Sequence, residues 1–131
     1  MIVLDASALV ELLLSTEVGR RVAERIASPE LSLHAPHLVD LEVAQSLRRF
    51  VLAGDVEATR AELALDLLAD LDVHRYPHED LLPRIWQLRH NYTAYDAAYV
   101  SLAEVLGATL LTCDQRLAAA PPATARVEVV A

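Results

Sequence analysis

Met1-Ile2-Val3-Leu4-Asp5 is a short apolar run that ends abruptly on an acid. An Ala/Leu-rich helical stretch over residues 7–14 follows, with no room for a long loop. A buried strand that feeds straight into a helix places the residue between them at the carboxyl end of a sheet. Open α/β sheets bind their ligands at that edge. Asp5 is therefore a candidate site residue. Three later acids stand at comparable junctions: Glu42 early in a helix, Asp96 in the first turn of another, and Asp114 just past a strand. The expectation is that the fold gathers these four carboxylates to hold a divalent metal.

The chain on either side of these acids alternates strand and helix signals. Ser15-Thr16-Glu17 opens a helix in which Val18, Val22 and Ile26 form a stripe at i, i+4 and i+8, and Ser28-Pro29 stops it. Residues 31–35 alternate weakly and suggest a second strand. Pro36 introduces a helix over 37–53, with Val39, Val43, Leu47 and Phe50 on its apolar stripe and Gly54 at its C-terminal stop. A helix over 56–71, a strand over 72–76 closed by Pro77, and a helix over 79–90 come next. After Asn91-Tyr92-Thr93 the pattern predicts a helix over 94–106 closed by Gly107, then a strand over 109–112. A short helix over 114–119, a loop at Pro121-Pro122 and a closing strand over 126–130 complete the chain. No repeat, low-complexity tract or linker-like segment interrupts it. Strands alternating with helices predict a single α/β domain over 1–131, three layers deep around a mostly parallel sheet.

Composition fits that reading. At 131 residues the chain can bury roughly two-thirds of the surface its unfolded form exposes. An apolar content of 54% suits a parallel sheet covered on both faces. No apolar run approaches the ~18 residues of a membrane span, and no basic segment precedes the first apolar residues. Cys113 is the single cysteine, so an internal disulfide is excluded and a reducing cytoplasm is expected. Net charge is −8, and all eleven basic residues are arginine. An acidic balance argues against broad attraction to nucleic acid. Bound cations and local arginines can still grip phosphate.

Each acid also has a structural explanation. Asp5 and Asp114 suit the N-cap of the helix that follows them. Glu42 suits the positive end of a helix dipole. Thr93-Ala94-Tyr95-Asp96 reads as a capping box. Yet Asp96 shares an apolar stripe with Val100, Ala103 and Leu106, and a carboxylate aimed at a core needs a partner. Asp40 lies about 200° around the helix from Glu42, so the two cannot point the same way. Glu42 is the candidate, and Asp40 the solvated acid.

Taken in order, these segments resemble a known family. They are Ile2-Val3-Leu4-Asp5-Ala6-Ser7-Ala8-Leu9, Glu42 within its helix, Tyr95-Asp96-Ala97-Ala98-Tyr99, and Leu110-Leu111-Thr112-Cys113-Asp114-Gln115-Arg116-Leu117. Together they resemble the PIN-domain ribonucleases, in particular the VapC toxins of bacterial toxin–antitoxin pairs. The resemblance runs over nearly the whole chain and implies a three-layer α/β/α PIN-like fold. It implies a Mg²⁺- or Mn²⁺-dependent endoribonuclease with Asp5, Glu42, Asp96 and Asp114 at the family's acidic positions. Ser7 and Thr112 fall at polar positions that support those acids. The resemblance further implies an RNA substrate, an antitoxin covering the acidic groove, and a homodimer.

The chemistry is coherent. Two carboxylates at ~4 Å repel by about 4 kcal/mol at an effective dielectric of about 20. Mg²⁺ or Mn²⁺ removes that conflict, since both prefer hard oxygen ligands. Asp5 and Asp96 are the firmest ligand candidates, with Glu42 and Asp114 completing the set or positioning water. Rival chemistries lack parts. A phosphoacceptor receiver domain needs a lysine, and there is none; the same absence, with only three glycines, removes a P-loop. A haloacid-dehalogenase-type phosphatase wants a second acid where Ser7 stands. His34 with His37, or His74 with His78, do not sit on one regular helix as a zinc pair would. Cys113 reads as a packing residue. Tyr92, Tyr95 and Tyr99 are candidates for base stacking, and Arg48, Arg49, Arg89 and Arg116 for phosphate contact. The alternative function is a non-catalytic α/β interaction module whose acids are helix caps.

Overall fold

Ile2, Val3 and Leu4 are all buried, as a central strand covered on both faces requires. They form β1 (Ile2–Leu4), and the other strands are β2 (Leu33–Pro36), β3 (Val73–Tyr76), β4 (Thr109–Thr112) and β5 (Val127–Val129). The computed structural model describes residues 1–118 and 124–131. In it the five strands form one sheet in the order β3-β2-β1-β4-β5, and every pairing is parallel. The helices between them are α1 (Ala6–Leu13), α2 (Glu17–Arg25), α3 (Val39–Leu52), α4 (Ala58–Asp70), α5 (Leu82–Gln87), α6 (Ala94–Leu106) and α7 (Gln115–Ala118).

Strand order decides the layers. Passing from β1 to β2 to β3 moves in one direction across the sheet, whereas β3 to β4 to β5 moves in the other. Parallel crossovers are right-handed, so α1 to α4 cover one face and α5 to α7 the opposite one. The order reverses between β1 and β4. Their carboxyl ends therefore open the crevice in which such sheets bind ligands.

Local sequence explains several element ends. Thr16 caps α2, its hydroxyl accepting from the Gly19 amide at 2.9 Å. Thr93 caps α6 in the same way, accepting from the Asp96 amide at 3.1 Å. Gly107 ends α6 in the left-handed region at φ 60°, where a side chain would be strained. α6 is buried on every side from Ala97 to Ala103, which accounts for its alanines: it packs against β1, β2 and β4.

Some boundaries depart from the sequence reading. β2 starts at Leu33 rather than 31 and runs through Pro36, which the pattern assigned to the following helix entry. β1 pairs with β2 only as far as His34, so Pro36 faces β3 alone and its missing N–H breaks no ladder. α3 accordingly begins at Val39. The single helix expected over 79–90 is a 3₁₀ turn at Glu79–Leu81 followed by α5. Pro83 would break a helix interior, but within the first turn of α5 its absent donor costs nothing. The short helix expected over 114–119 is found as α7, and the closing strand as β5; Ala119 and the Pro121-Pro122 loop lie outside the described residues.

Candidate active site

Asp5 follows β1 and Asp114 follows β4, the two strands that meet where the order reverses. Glu42 projects from the first turn of α3 and Asp96 from the first turn of α6. All four line one cavity of about 460 Å³ at the carboxyl edge of the sheet. Ser7, Tyr95 and Tyr99 line it too, and Leu38, Leu41, Gln45, Ser46 and Arg49 complete its α3 wall. Asp40, by contrast, is turned away and holds Arg75 through two bonds of 2.7 and 2.8 Å. The acid read as solvated is thus half of an ion pair.

Asp5 is the most enclosed of the four, only 6% exposed. Its Oδ1 accepts from the Ser7 hydroxyl at 2.6 Å and the Ala8 amide at 3.1 Å, and its Oδ2 from the Thr112 hydroxyl at 2.6 Å. The Ala8 bond is the helix cap; the two hydroxyl bonds are additional. Thr112 also accepts from the Asp114 amide at 2.9 Å, and Ser7 from the Cys113 amide at 2.9 Å. Ser7 and Thr112 therefore tie the end of β1 to the turn after β4. Burial raises the Asp5 carboxyl above the ordinary carboxylate range; the hydroxyl bonds oppose that, and the Asp96 charge adds to it.

The other acids feel the same crowding. Burial raises Glu42, with further contributions from Asp96 and Asp5, while a 2.6 Å bond from the Tyr99 hydroxyl works the other way. Tyr99 lies one turn beyond Asp96, so a single face of α6 presents one carboxylate and fixes another. Burial also raises Asp96, reinforced by Asp114 and eased by bonding to Thr93 and by the Arg116 charge. Asp114 differs: Arg116 grips it through bonds of 2.8 to 3.3 Å and holds it below the usual range.

Three raised carboxyls around one cavity form a crowded hard-oxygen donor set, which suits a divalent cation. Among the described residues no three His, Cys, Asp or Glu side chains already converge as a ligand cluster. Asp5 is held by hydroxyls, Glu42 by Tyr99 and Asp114 by Arg116.

The remaining candidates fall into place. Cys113 is half-buried, and burial pushes its thiol up to about 11, which leaves it a poor nucleophile. His34 stacks on His74 at 5.2 Å, its two ring nitrogens bonded to Tyr76 and Ser32. Tyr99 is buried, whereas Tyr95 is 65% exposed on the cavity rim. Sequence reading did not name Gln45 or Ser46, and named Arg49 as a candidate for phosphate contact without placing it at the cavity. Their spacing from Glu42 (i+3, i+4 and i+7) is the signal that marks them.

A parallel three-layer sheet carrying acids at its switch point belongs to a recognisable class. Residues 2–121 match the PIN domain, and the chain belongs to the PIN domain family. Within it the chain is VapC-like. Ribonuclease VapC1 of Mycobacterium tuberculosis (strain ATCC 25618 / H37Rv) is 44% identical over 129 residues, spanning 98% of this chain and 96% of that one. VapC ribonuclease Mb0985 of Mycobacterium bovis is 43% identical over 132 residues, spanning 99% and 98%. Among solved structures, PAE2754 from Pyrobaculum aerophilum superposes with a TM-score of 0.70 at 25% identity, covering 98% of this chain and 83% of that one. Mycobacterium tuberculosis VapC20, described as a Sarcin-Ricin loop cleaving toxin, shares the fold with a TM-score of 0.69 at 18% identity over 91% of this chain and 94% of that one.

Proposed function

We propose that this protein is an endoribonuclease of the VapC type, the toxin of a toxin–antitoxin pair, hydrolysing RNA phosphodiesters with Mg²⁺ or Mn²⁺. The observation that carries this reading is that Asp5, Glu42, Asp96 and Asp114 all line one cavity in a chain whose relatives are VapC ribonucleases. Asp5 and Asp96 would be the principal ligands, with Glu42 and Asp114 completing the set. A dication held there supplies Lewis-acid activation of the phosphodiester and of the attacking water. Ser7 and Thr112 fix the Asp5 carboxylate, and Tyr99 orients Glu42.

Helix capping alone does not explain the arrangement. Glu42 caps no helix end, yet it is turned into the cavity and bonded by a buried tyrosine. An arginine from an antitoxin would neutralise these acids by charge-assisted hydrogen bonding, which fits inhibition by a partner segment. Exposed Leu52, Leu63 and Leu67 on α3 and α4 offer apolar area for a homodimer. An RNA substrate and one free cysteine fit the cytoplasm. Among the described residues no helix is long and apolar enough to cross a membrane.

The test is cleavage of single-stranded RNA with and without Mg²⁺ or Mn²⁺, in the native chain and in Asp5→Asn and Asp96→Asn. Both variants should lose metal-dependent cleavage by at least about a hundredfold, the scale of lost transition-state charge stabilisation. Undiminished activity in both would reject the site. A metal-induced rise in melting temperature separates this reading from a non-catalytic module, for which helix caps predict almost none.

A further inference from the structure

The chain carries a net charge of −8, and its cavity is lined by four carboxylates, so something must offset repulsion of a polyanionic substrate. The arginines are not equally available for that. Arg21, Arg25, Arg75, Arg84 and Arg116 are each paired with a carboxylate of the chain itself. Among the described residues, Arg49 has no acidic partner and is the one cation that lines the cavity. Its guanidinium donates to the Ser46 hydroxyl at 3.2 Å, one turn back on α3.

Gln45, Ser46 and Arg49 follow Glu42 at i+3, i+4 and i+7, within about 100° of arc on a 3.6-residue helix. They form a polar stripe along the cavity wall, ending in a cation. Seven residues of helix cover about 10 Å, so the Arg49 backbone stands that far along α3 from Glu42. We infer that the α3 stripe Gln45-Ser46-Arg49 is the substrate-backbone subsite, with Arg49 binding an RNA phosphate adjacent to the one being cut. This rests on the ribonuclease reading of the same cavity and says how an acidic enzyme holds its substrate. Arginine suits the task, since its planar fork matches phosphate and its charge is permanent. Ser46 holds one arm of that fork, and Gln45 adds an uncharged donor beside it.

The experiment measures KM, kcat and their salt dependence for a single-stranded RNA oligonucleotide in Arg49→Gln, Arg49→Lys and the native chain. Arg20→Gln on the exposed side of α2 is the surface-charge control. Arg49→Gln should raise KM about tenfold, the scale of one hydrogen bond to a charged group, and leave kcat within about twofold. Its plot of log(kcat/KM) against log[salt] should flatten by about 0.7, one single-strand phosphate contact. Arg49→Lys should recover the slope, because the slope counts charge; a merely structural arginine would not move it. Native salt slope and KM in Arg49→Gln, beside active native enzyme, overturn the subsite and leave the nuclease reading standing. Native protein that neither cleaves nor binds RNA overturns both.

Discussion

The Thr112 hydroxyl donates a 2.6 Å hydrogen bond to Asp5 Oδ2, joining residues 107 apart in sequence at the point where strand order reverses. Thr112 is fully buried, and the same oxygen accepts from the Asp114 amide at 2.9 Å. Thr112→Val keeps the shape and removes both interactions. The expected loss is about 1.5–3 kcal/mol of stability, the range for a hydrogen bond to a charged group. Urea denaturation of metal-free protein measures it. A change under about 0.5 kcal/mol would mean that Asp5 finds another donor.

Acid should stabilise the metal-free protein before it harms it. Burial raises Asp5, Glu42 and Asp96 above their unfolded values, so the folded state holds these protons more tightly. Their contribution to stability is full below the unfolded carboxylate values and lost as pH climbs through the raised folded ones. The metal-free melting temperature should therefore rise as pH falls from neutral into the mildly acidic range. The increment from added Mg²⁺ or Mn²⁺ should shrink over the same window, since protons compete for the ligands. Glu104 and Glu128, held low by Arg84 and Arg25, act with the opposite sign at lower pH. A metal increment that is flat with pH would place the ions elsewhere.

Gly19→Ala tests the packing of α1 against α2. Exchanging a helical glycine for alanine ordinarily gains about 1 kcal/mol. Here a Cβ would stand 1.9 Å from the Glu11 carbonyl oxygen, a backbone atom that cannot swing aside. The sign should reverse, with a loss of about 1–3 kcal/mol as the helices are forced apart. Thermal unfolding followed by circular dichroism decides it; a stabilised variant would show that α2 can shift freely.

Ser101→Ala should stabilise. Among the described residues the Ser101 hydroxyl is buried within α6 with no hydrogen-bond partner. Desolvating such a group costs about 1–3 kcal/mol, and alanine also has the better helix propensity. A rise of about 1 kcal/mol in urea is expected, with metal response and cleavage unchanged. A destabilised variant would indicate that the hydroxyl is hydrogen-bonded in solution.

What the sequence determined by itself is the part governed by forces between near neighbours. The apolar run before Asp5, the caps at Thr16 and Thr93 and the stop at Gly107 act over a few residues, so they can be read in order. Helix α6 and strand β4 stand at the expected bounds for that reason. Pro36 misled because a proline in a strand is tolerated or not according to which neighbouring strand would have used its N–H, and that strand lies elsewhere in the chain. Only the tertiary structure decided that Tyr99 bonds Glu42, that Arg75 claims Asp40, and that Arg49 is left over at the cavity. Those pairings follow from the β3-β2-β1-β4-β5 order. Burial beside a distant partner sets the state of a charged side chain, and spacing along the chain carries no record of it.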